Sequence, residues 1–167
     1  MTSPKTENEA YHKLSSLCAV AEYCCYDMMK KMNKWEWKTS LDTDDHQLIK
    51  EEIQRIKARI IARLVSERFI DESRFAHAFV RDKFRYNHWG RVRITQELRI
   101  RNIDSSIIED ALTEIDDTDN LAKLQDILRK KLPSIKGKND YEIRCKLIRF
   151  ALGRGFAYED IERALEA

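Results

Sequence analysis

Cationic side chains crowd one stretch of this chain, and they are the residues best fitted to do chemistry. Between Phe69 and Ile103 stand Arg74, Arg81, Lys83, Arg85, Arg91, Arg93, Arg99 and Arg101, with lysine only at Lys83. After Arg74 only Asp82 and Glu97 oppose them. A guanidinium offers a planar fork of donors that matches phosphate or carboxylate, which an ammonium does not. Tyr86 and Trp89 lie among the charges, where a base would stack or an interface would anchor. The chemistry is therefore recognition of an anionic surface rather than bond-making. Two blander readings stand beside it: a charge run is often only the solvated face of a helix, and Trp89 can plug a helix junction. The next stretch has the opposite sign, with Asp104, Glu109, Asp110, Glu114, Asp116, Asp117 and Asp119 and no Lys or Arg among them. The expectation is a polarised surface, its acidic face turned from DNA or meeting basic protein residues.

A second basic cluster follows in Arg129, Lys130, Lys131, Lys136, Lys138, Arg144, Lys146, Arg149 and Arg154, in the last unit with Asp126, Asp140 and Glu142. The formal net charge of the 167 residues is only +2, so any nucleic-acid contact must come from patches. Catalytic signatures are missing: there is no G-x-x-x-x-G-K-[ST], G-x-G-x-x-G or H-E-x-x-H. His12, His46, His77 and His88 stand singly, and His77 reads as a partly exposed helix residue rather than a general base. Cys18, Cys24, Cys25 and Cys145 form no C-x-x-C pair, so core packing is expected and a metal site is not. The expectation is no catalytic residue, no metal and no cofactor. Cysteine usage and the absence of a secretory pattern at the N-terminus predict a reducing, cytoplasmic setting. No apolar run approaches about 18 residues, so no membrane partner is expected.

The elements that must carry these charges are helices, because the chain holds only four Gly and two Pro. Leu14, Leu17, Ala21, Cys24 and Met28 recur at helical spacing. Thr39 to Asp45 is a turn-rich break with Thr43 and Asp44 as capping residues, before a long stripe of Ile49, Ile53, Ile56, Ile60 and Leu64. Asp71 caps the next helix with Phe75, Phe79 and Phe84 inward, and Trp89-Gly90 interrupts it. Val92, Ile94 and Leu98 lead a helix ending near Asn102, and Asp104 caps one carrying Ile107, Ile108, Ala111, Leu112 and Ile115. Leu121, Leu124, Leu128 and Leu132 follow up to Pro133, and Asn139 with Glu142 suggests a capping box for Ile143, Leu147 and Ala151. Gly153 and Gly155 end that helix before Ile161 and Leu165. About nine helices result, and they fall into threes. Each third has a turn bearing one apolar residue (Trp37, Ile103 or Phe156), with Met32, Leu98 or Ala151 five positions earlier. The fold class predicted is all-α, an elongated, curved array of three tandem three-helix, helix-turn-helix-like repeats. Its parts are a disordered tail over 1–9 and repeats over 10–69, 70–116 and 117–167.

The string Phe69-Ile70-Asp71-Glu72-Ser73-Arg74-Phe75-Ala76 resembles the G-[FLY]-[IL]-[DN]-[DE]-x-[RK]-[FY]-A signature of the RecX family, regulators of the RecA recombinase. Gly90, Ile94, Glu97, Leu98, Asn102 and Ile103 are similar to that family's G-x-x-x-[IL]-x-x-[EQ]-L-x-x-K-G-[IV]. Arg68 stands where the family often has Gly, and Arg101-Asn102 where it usually has Lys-Gly. Asn tolerates the left-handed backbone that Gly supplies at a helix end. Lys146 to Phe150 and Arg154-Gly155-Phe156 resemble the third repeat of some members. The resemblance implies a non-catalytic protein, expected as a monomer, that lies along the RecA–DNA filament and modulates, usually inhibits, its growth, ATP hydrolysis and strand exchange. The contact candidates are Arg81, Lys83, Arg85, Trp89, Arg91, Arg93, Arg99 and Arg101 in the middle repeat, extended by Arg144, Lys146, Arg149 and Arg154. Contact with single- or double-stranded DNA is expected to be weak and phosphate-mediated. The alternatives are a stand-alone helix-turn-helix-like DNA-binding protein that reads duplex with Arg91–Arg101, and a helical adaptor without nucleic acid.

Overall fold

The computed structural model describes residues 4–166, and among them are nine α-helices, one 3-10 turn and no strand. In chain order these are α1 (Glu7–Cys18), α2 (Cys25–Met32), α3 (His46–Ser66), α4 (Glu72–Arg85), α5 (Arg91–Ile100), α6 (Ser105–Leu112), α7 (Asp117–Lys131), α8 (Asp140–Gly153) and α9 (Tyr158–Glu166). The all-α class and the grouping into three-helix units follow the sequence pattern. Two compact units result, one ending at Phe75 and the other starting at Ala76, so the division falls inside α4. Of the tail expected over 1–9, residues 1–3 lie outside the described residues. Residues 7–9 are helical, because the Thr6 hydroxyl accepts the Glu9 N–H at 3.1 Å and starts α1 there.

In the first unit α1 and α2 both pack on α3. The helical spacing of Leu14 to Met28 is broken between α1 and α2, which lets Leu14 and Met28 enter one core with Ala10, Met32, Ile60 and Leu64. Full burial of each large member stabilises by about 1.5–3 kcal/mol. Only the C-terminal half of the α3 stripe is buried: Ile49, Ile53 and Ile56 are half-buried and Leu48 is exposed. Lys57 is buried on the same helix, its Nζ donating to Asn33 Oδ1 at 2.9 Å and lying 5.7 Å from the Trp37 ring. Burial pushes its pKa down. The α3 cap is Asp45, which accepts from Gln47 N–H (2.8 Å) and Leu48 N–H (3.3 Å), one residue beyond the expected Thr43-Asp44.

In the second unit Asp104, Asp116 and Asn139 cap α6, α7 and α8 through the N–H groups of Ser106, Asp119 and Glu142. The capping box closes one residue out of register, for the Glu142 carboxylate takes the Lys138 N–H (2.9 Å). Buried side chains come from every helix, with Val80 and Phe84 on α4, Ile94 and Leu98 on α5, Ile108 and Ala111 on α6, Leu124 on α7, Ala151 on α8 and Ile161 on α9.

Helix ends repeat one device. Arg68 (φ 60), Asn102 (φ 56) and Gly155 (φ 87) are left-handed, and each is followed by an apolar residue. The N–H groups of Phe69, Ile103 and Phe156 return to Leu64, Leu98 and Ala151 carbonyls at 2.9, 3.1 and 3.2 Å, closing a Schellman turn. Trp37 reaches back five residues differently: its indole Nε1–H donates to the Met32 carbonyl at 2.8 Å. The equivalence of Trp37, Ile103 and Phe156 is thus one of hydrogen-bond target, met by a side chain in the first case.

Candidate functional site

The basic stretch is carried by α4, the junction after it and α5. Past α4 the backbone of His88 is left-handed (φ 55) and Trp89 N–H bonds Lys83 O at 3.1 Å, turning the chain back sharply. Gly90 caps α5 without a side chain. Its N–H donates to Arg154 O (2.9 Å), and Val92 N–H donates to Gly155 O (3.0 Å). The carbonyl end of α8 thus satisfies the amide end of α5, a favourable meeting of helix dipoles. That contact covers the part of α5 that a recognition helix presents to base edges, which counts against the stand-alone duplex-reading alternative.

At this turn two rings and three cations form a ledge. Phe79 and Trp89 stand edge to face at 6.4 Å, and Lys83 Nζ lies 5.3 and 5.2 Å from their centroids. The Arg93 guanidinium is 4.1 Å from the Trp89 centroid and that of Arg101 is 5.1 Å from Phe79. Stacking orients a guanidinium while leaving its in-plane donors for a phosphate or carboxylate. Trp89 therefore serves both readings, as a half-buried junction residue and as the platform for Arg93.

The acidic stretch is exposed, and two of its carboxylates are held by arginines of the basic stretch. Arg81 Nη1 pairs with Glu114 Oε1 at 2.8 Å, and Arg91 pairs with Asp117 Oδ1 at 2.8 Å while also donating to the Ile115 carbonyl. Arg81 and Arg91 thus tie the basic segment to the acidic one, and part of the expected polarisation is cancelled between them. His77 belongs to the same seam, with Nδ1 2.8 Å from Glu114 Oε1 and Nε2 2.9 Å from Asp110 Oδ2. The two carboxylates raise the His77 pKa through hydrogen bonding, Asp110 most, and His77 in turn lowers that of Glu114. Arg101 pairs with Glu97 (2.9 Å), Arg144 with Glu162 (2.8 Å) and Lys146 with Glu142 (2.7 Å). Arg93 and Arg154 bond backbone carbonyls, of Gly153 at 3.4 Å and Asn87 at 3.2 Å.

Three expected contact residues remain: the exposed side chains of Arg85, Arg99 and Arg149 meet no partner among the described residues. Sequence reasoning passed over Phe79 as a platform, the His77 seam, and the cluster of His88 with Lys130 and Lys131. Only the spacing of Phe79 and Lys83, one helical turn apart, signalled the first; the others join distant segments. Among the described residues no group of three His, Cys, Asp or Glu lies close enough to hold a metal, and no helix is long and apolar enough to cross a membrane.

Family models describing the second and the third three-helix domains of RecX match residues 71–112 and 117–165. The chain is 31% identical over 144 residues to the regulatory protein RecX of Clostridium tetani, an alignment covering 85% of this chain and 65% of the relative. It is 30% identical over 108 residues to that of Prosthecochloris aestuarii, covering 65% of this chain and 69% of the relative. The chain thus spans less than two thirds of the length of the Clostridium tetani protein. A crystal structure of regulatory protein RecX superposes with a TM-score of 0.77 at 19% identity, over 96% of this chain and 72% of the other. That of RecX from Lactobacillus salivarius gives 0.72 at 19% identity, over 96% and 94%. At such identities the structural likeness is one of fold.

Proposed function

The chain belongs to the RecX family, and from that premise we propose that it is a non-catalytic regulator of a RecA-type recombinase. It lies as a monomer along the cytoplasmic recombinase–DNA filament and inhibits ATP turnover, filament extension and strand exchange. Its mechanism is steric and electrostatic: bridging neighbouring subunits hinders the motions coupled to hydrolysis or the addition of subunits. The repeats over 10–69, 70–116 and 117–167 are its working units, and DNA phosphates are met weakly, as part of an anionic groove.

The observation that carries this reading is the ledge of Phe79, Lys83, Trp89 and Arg93, with Arg85 and Arg99 exposed and unpaired among the described residues. Intramolecular salt bridges use up most other cations of the middle repeat. Those left over hold the charge available to a partner, and arginine beside aromatic rings is the composition of interface hot spots.

The test is ATP hydrolysis by the cognate recombinase on single-stranded DNA, titrated with this protein and with an Arg85→Glu/Arg99→Glu variant. Neither side chain supports the fold, so the variant stays folded, as circular dichroism will check. Inhibition below one protein per recombinase subunit, weakened at least tenfold in the variant, is the expected result. No inhibition at stoichiometric excess of folded protein sinks the reading.

A further inference from the structure

A cavity of about 280 Å³ lies in the second unit, near the lower end of small-molecule pockets at about 300–1,000 Å³. Its wall is apolar where Ile127 of α7 and Phe150 of α8 meet, and cationic where Lys130, Lys131 and Arg154 approach. Lys131 Nζ and the Arg154 guanidinium lie 5.3 and 5.4 Å from the Phe150 centroid, and neither is in an ion pair among the described residues. The one carboxylate of the lining, Asp126, is held by Lys130 (2.7 Å) and Arg129 (2.9 Å), so it does not neutralise the other two cations. His88 completes the lining, and its Nδ1 is buried without a hydrogen-bond partner among the described residues.

We propose that this pocket takes one nucleotide of single-stranded DNA, its base on the Ile127–Phe150 wall and its phosphate toward Lys131 and Arg154. The combination decides the ligand class. A bare anion leaves the apolar wall uncovered, and an apolar group leaves two cations without a counter-charge. A nucleotide brings a flat ring and a phosphate within one unit, and binding to single strands regularly joins base stacking to backbone charge. The left-handed His88 backbone and the Arg154–Asn87 bond set the pocket beside the turn that carries Trp89 and Gly90. The proposal rests on the reading that this chain meets nucleic acid on its filament.

The experiment uses the full chain and a fluorescein-labelled ten-nucleotide oligodeoxythymidine at low salt. Binding is read by anisotropy, and ultraviolet crosslinks are mapped by mass spectrometry. Lys131→Glu is compared with Lys50→Glu, an exposed α3 lysine that makes the same change in net charge. The expected result is crosslinking to the peptide bearing His88 or Phe150, and an affinity loss about tenfold greater for Lys131→Glu, as fits removal of a charge-assisted hydrogen bond. Binding with crosslinks only elsewhere and equal losses in the two variants overturns the pocket and leaves the regulatory reading standing. Failure to bind the oligonucleotide also overturns the pocket, while the recombinase assay decides the regulatory reading separately. Displacement from the crosslinked peptide by an equal concentration of a glutamate decapeptide overturns the nucleotide in favour of an acidic protein segment.

Discussion

Gly90 and Gly155 meet backbone to backbone, with no room for a side chain on either. A Cβ built on Gly90 would lie 2.3 Å from Gly155 O, and one on Gly155 would lie 2.2 Å from Arg93 Cβ. This contact is where the N–H groups at the start of α5 donate to the carbonyls at the end of α8, so it fixes the second repeat on the third. Gly90→Ala is expected to destabilise by about 1–3 kcal/mol, the scale of overpacking in a close contact. Thermal unfolding should show it as a fall of several degrees. Gly153→Ala is the control: nothing lies within 4 Å of its Cβ, and Ala in a helical position should stabilise by about 0.5–1 kcal/mol. Equal behaviour of the two variants would contradict the close-contact account.

Arg68 is left-handed at φ 60, and no interaction of its side chain holds it there among the described residues. Left-handed backbone costs a non-glycine residue about 1–2 kcal/mol. Arg68→Gly should therefore raise stability by about 1 kcal/mol, because the Schellman bonds at Phe69 are made by backbone and survive the change. Asn102→Gly should gain less, since Asn tolerates the region better. Urea denaturation midpoints check both.

The His77 seam makes stability depend on pH. With its folded pKa raised by Asp110 and Glu114, protonated His77 contributes fully below the unfolded value of about 6.5. That contribution is lost as pH rises through the folded value. Glu114, lowered, contributes above the ordinary carboxylate range and loses its part as pH falls. His77→Gln is thus expected to lower the unfolding midpoint at about pH 6 and to have much less effect at about pH 9. An NMR titration of His77 with its midpoint below about 6.5 would overturn this.

Burial pushes the Cys24 and Cys25 thiols up to about 12, and Glu72 adds to the effect at both. The thiolate is the nucleophile, so iodoacetamide at about pH 8 should modify both far more slowly in native protein than in urea. Fast native alkylation of Cys24 would show that the α2 start opens readily.

Charge already committed inside the molecule should not be available to DNA. On single strands, replacing Arg85, Arg99 or Arg149 by Ala should lower the salt dependence of binding by about 0.7 for each phosphate no longer neutralised. Arg144→Ala, whose partner is Glu162, should leave that slope unchanged. The same slope in all four variants would show that the exposed arginines are not on the DNA path.

Local chemistry was legible along the chain. Helix spacing, the caps at Asp71, Asp104 and Asn139, and the stops near Asn102 and Gly155 are interactions between residues a few positions apart. A linear reading holds all the partners they need. The same holds for the all-α class, since the few breakers fall between helices or, as Gly153 does, at a helix end. Which cations are free depended on tertiary packing, because ion pairs such as Arg81–Glu114 and Arg144–Glu162 join different helices. Packing also broke the smooth period of Leu14 to Met28, since two short helices bury both residues against α3. Gly90 interrupts the helical pattern along the chain, but only the packing sets Gly155 against it. His88 and Phe150 share a pocket for the same reason. A charge run states how many cations a segment holds; only the packing of helices states which of them still lack a counter-ion.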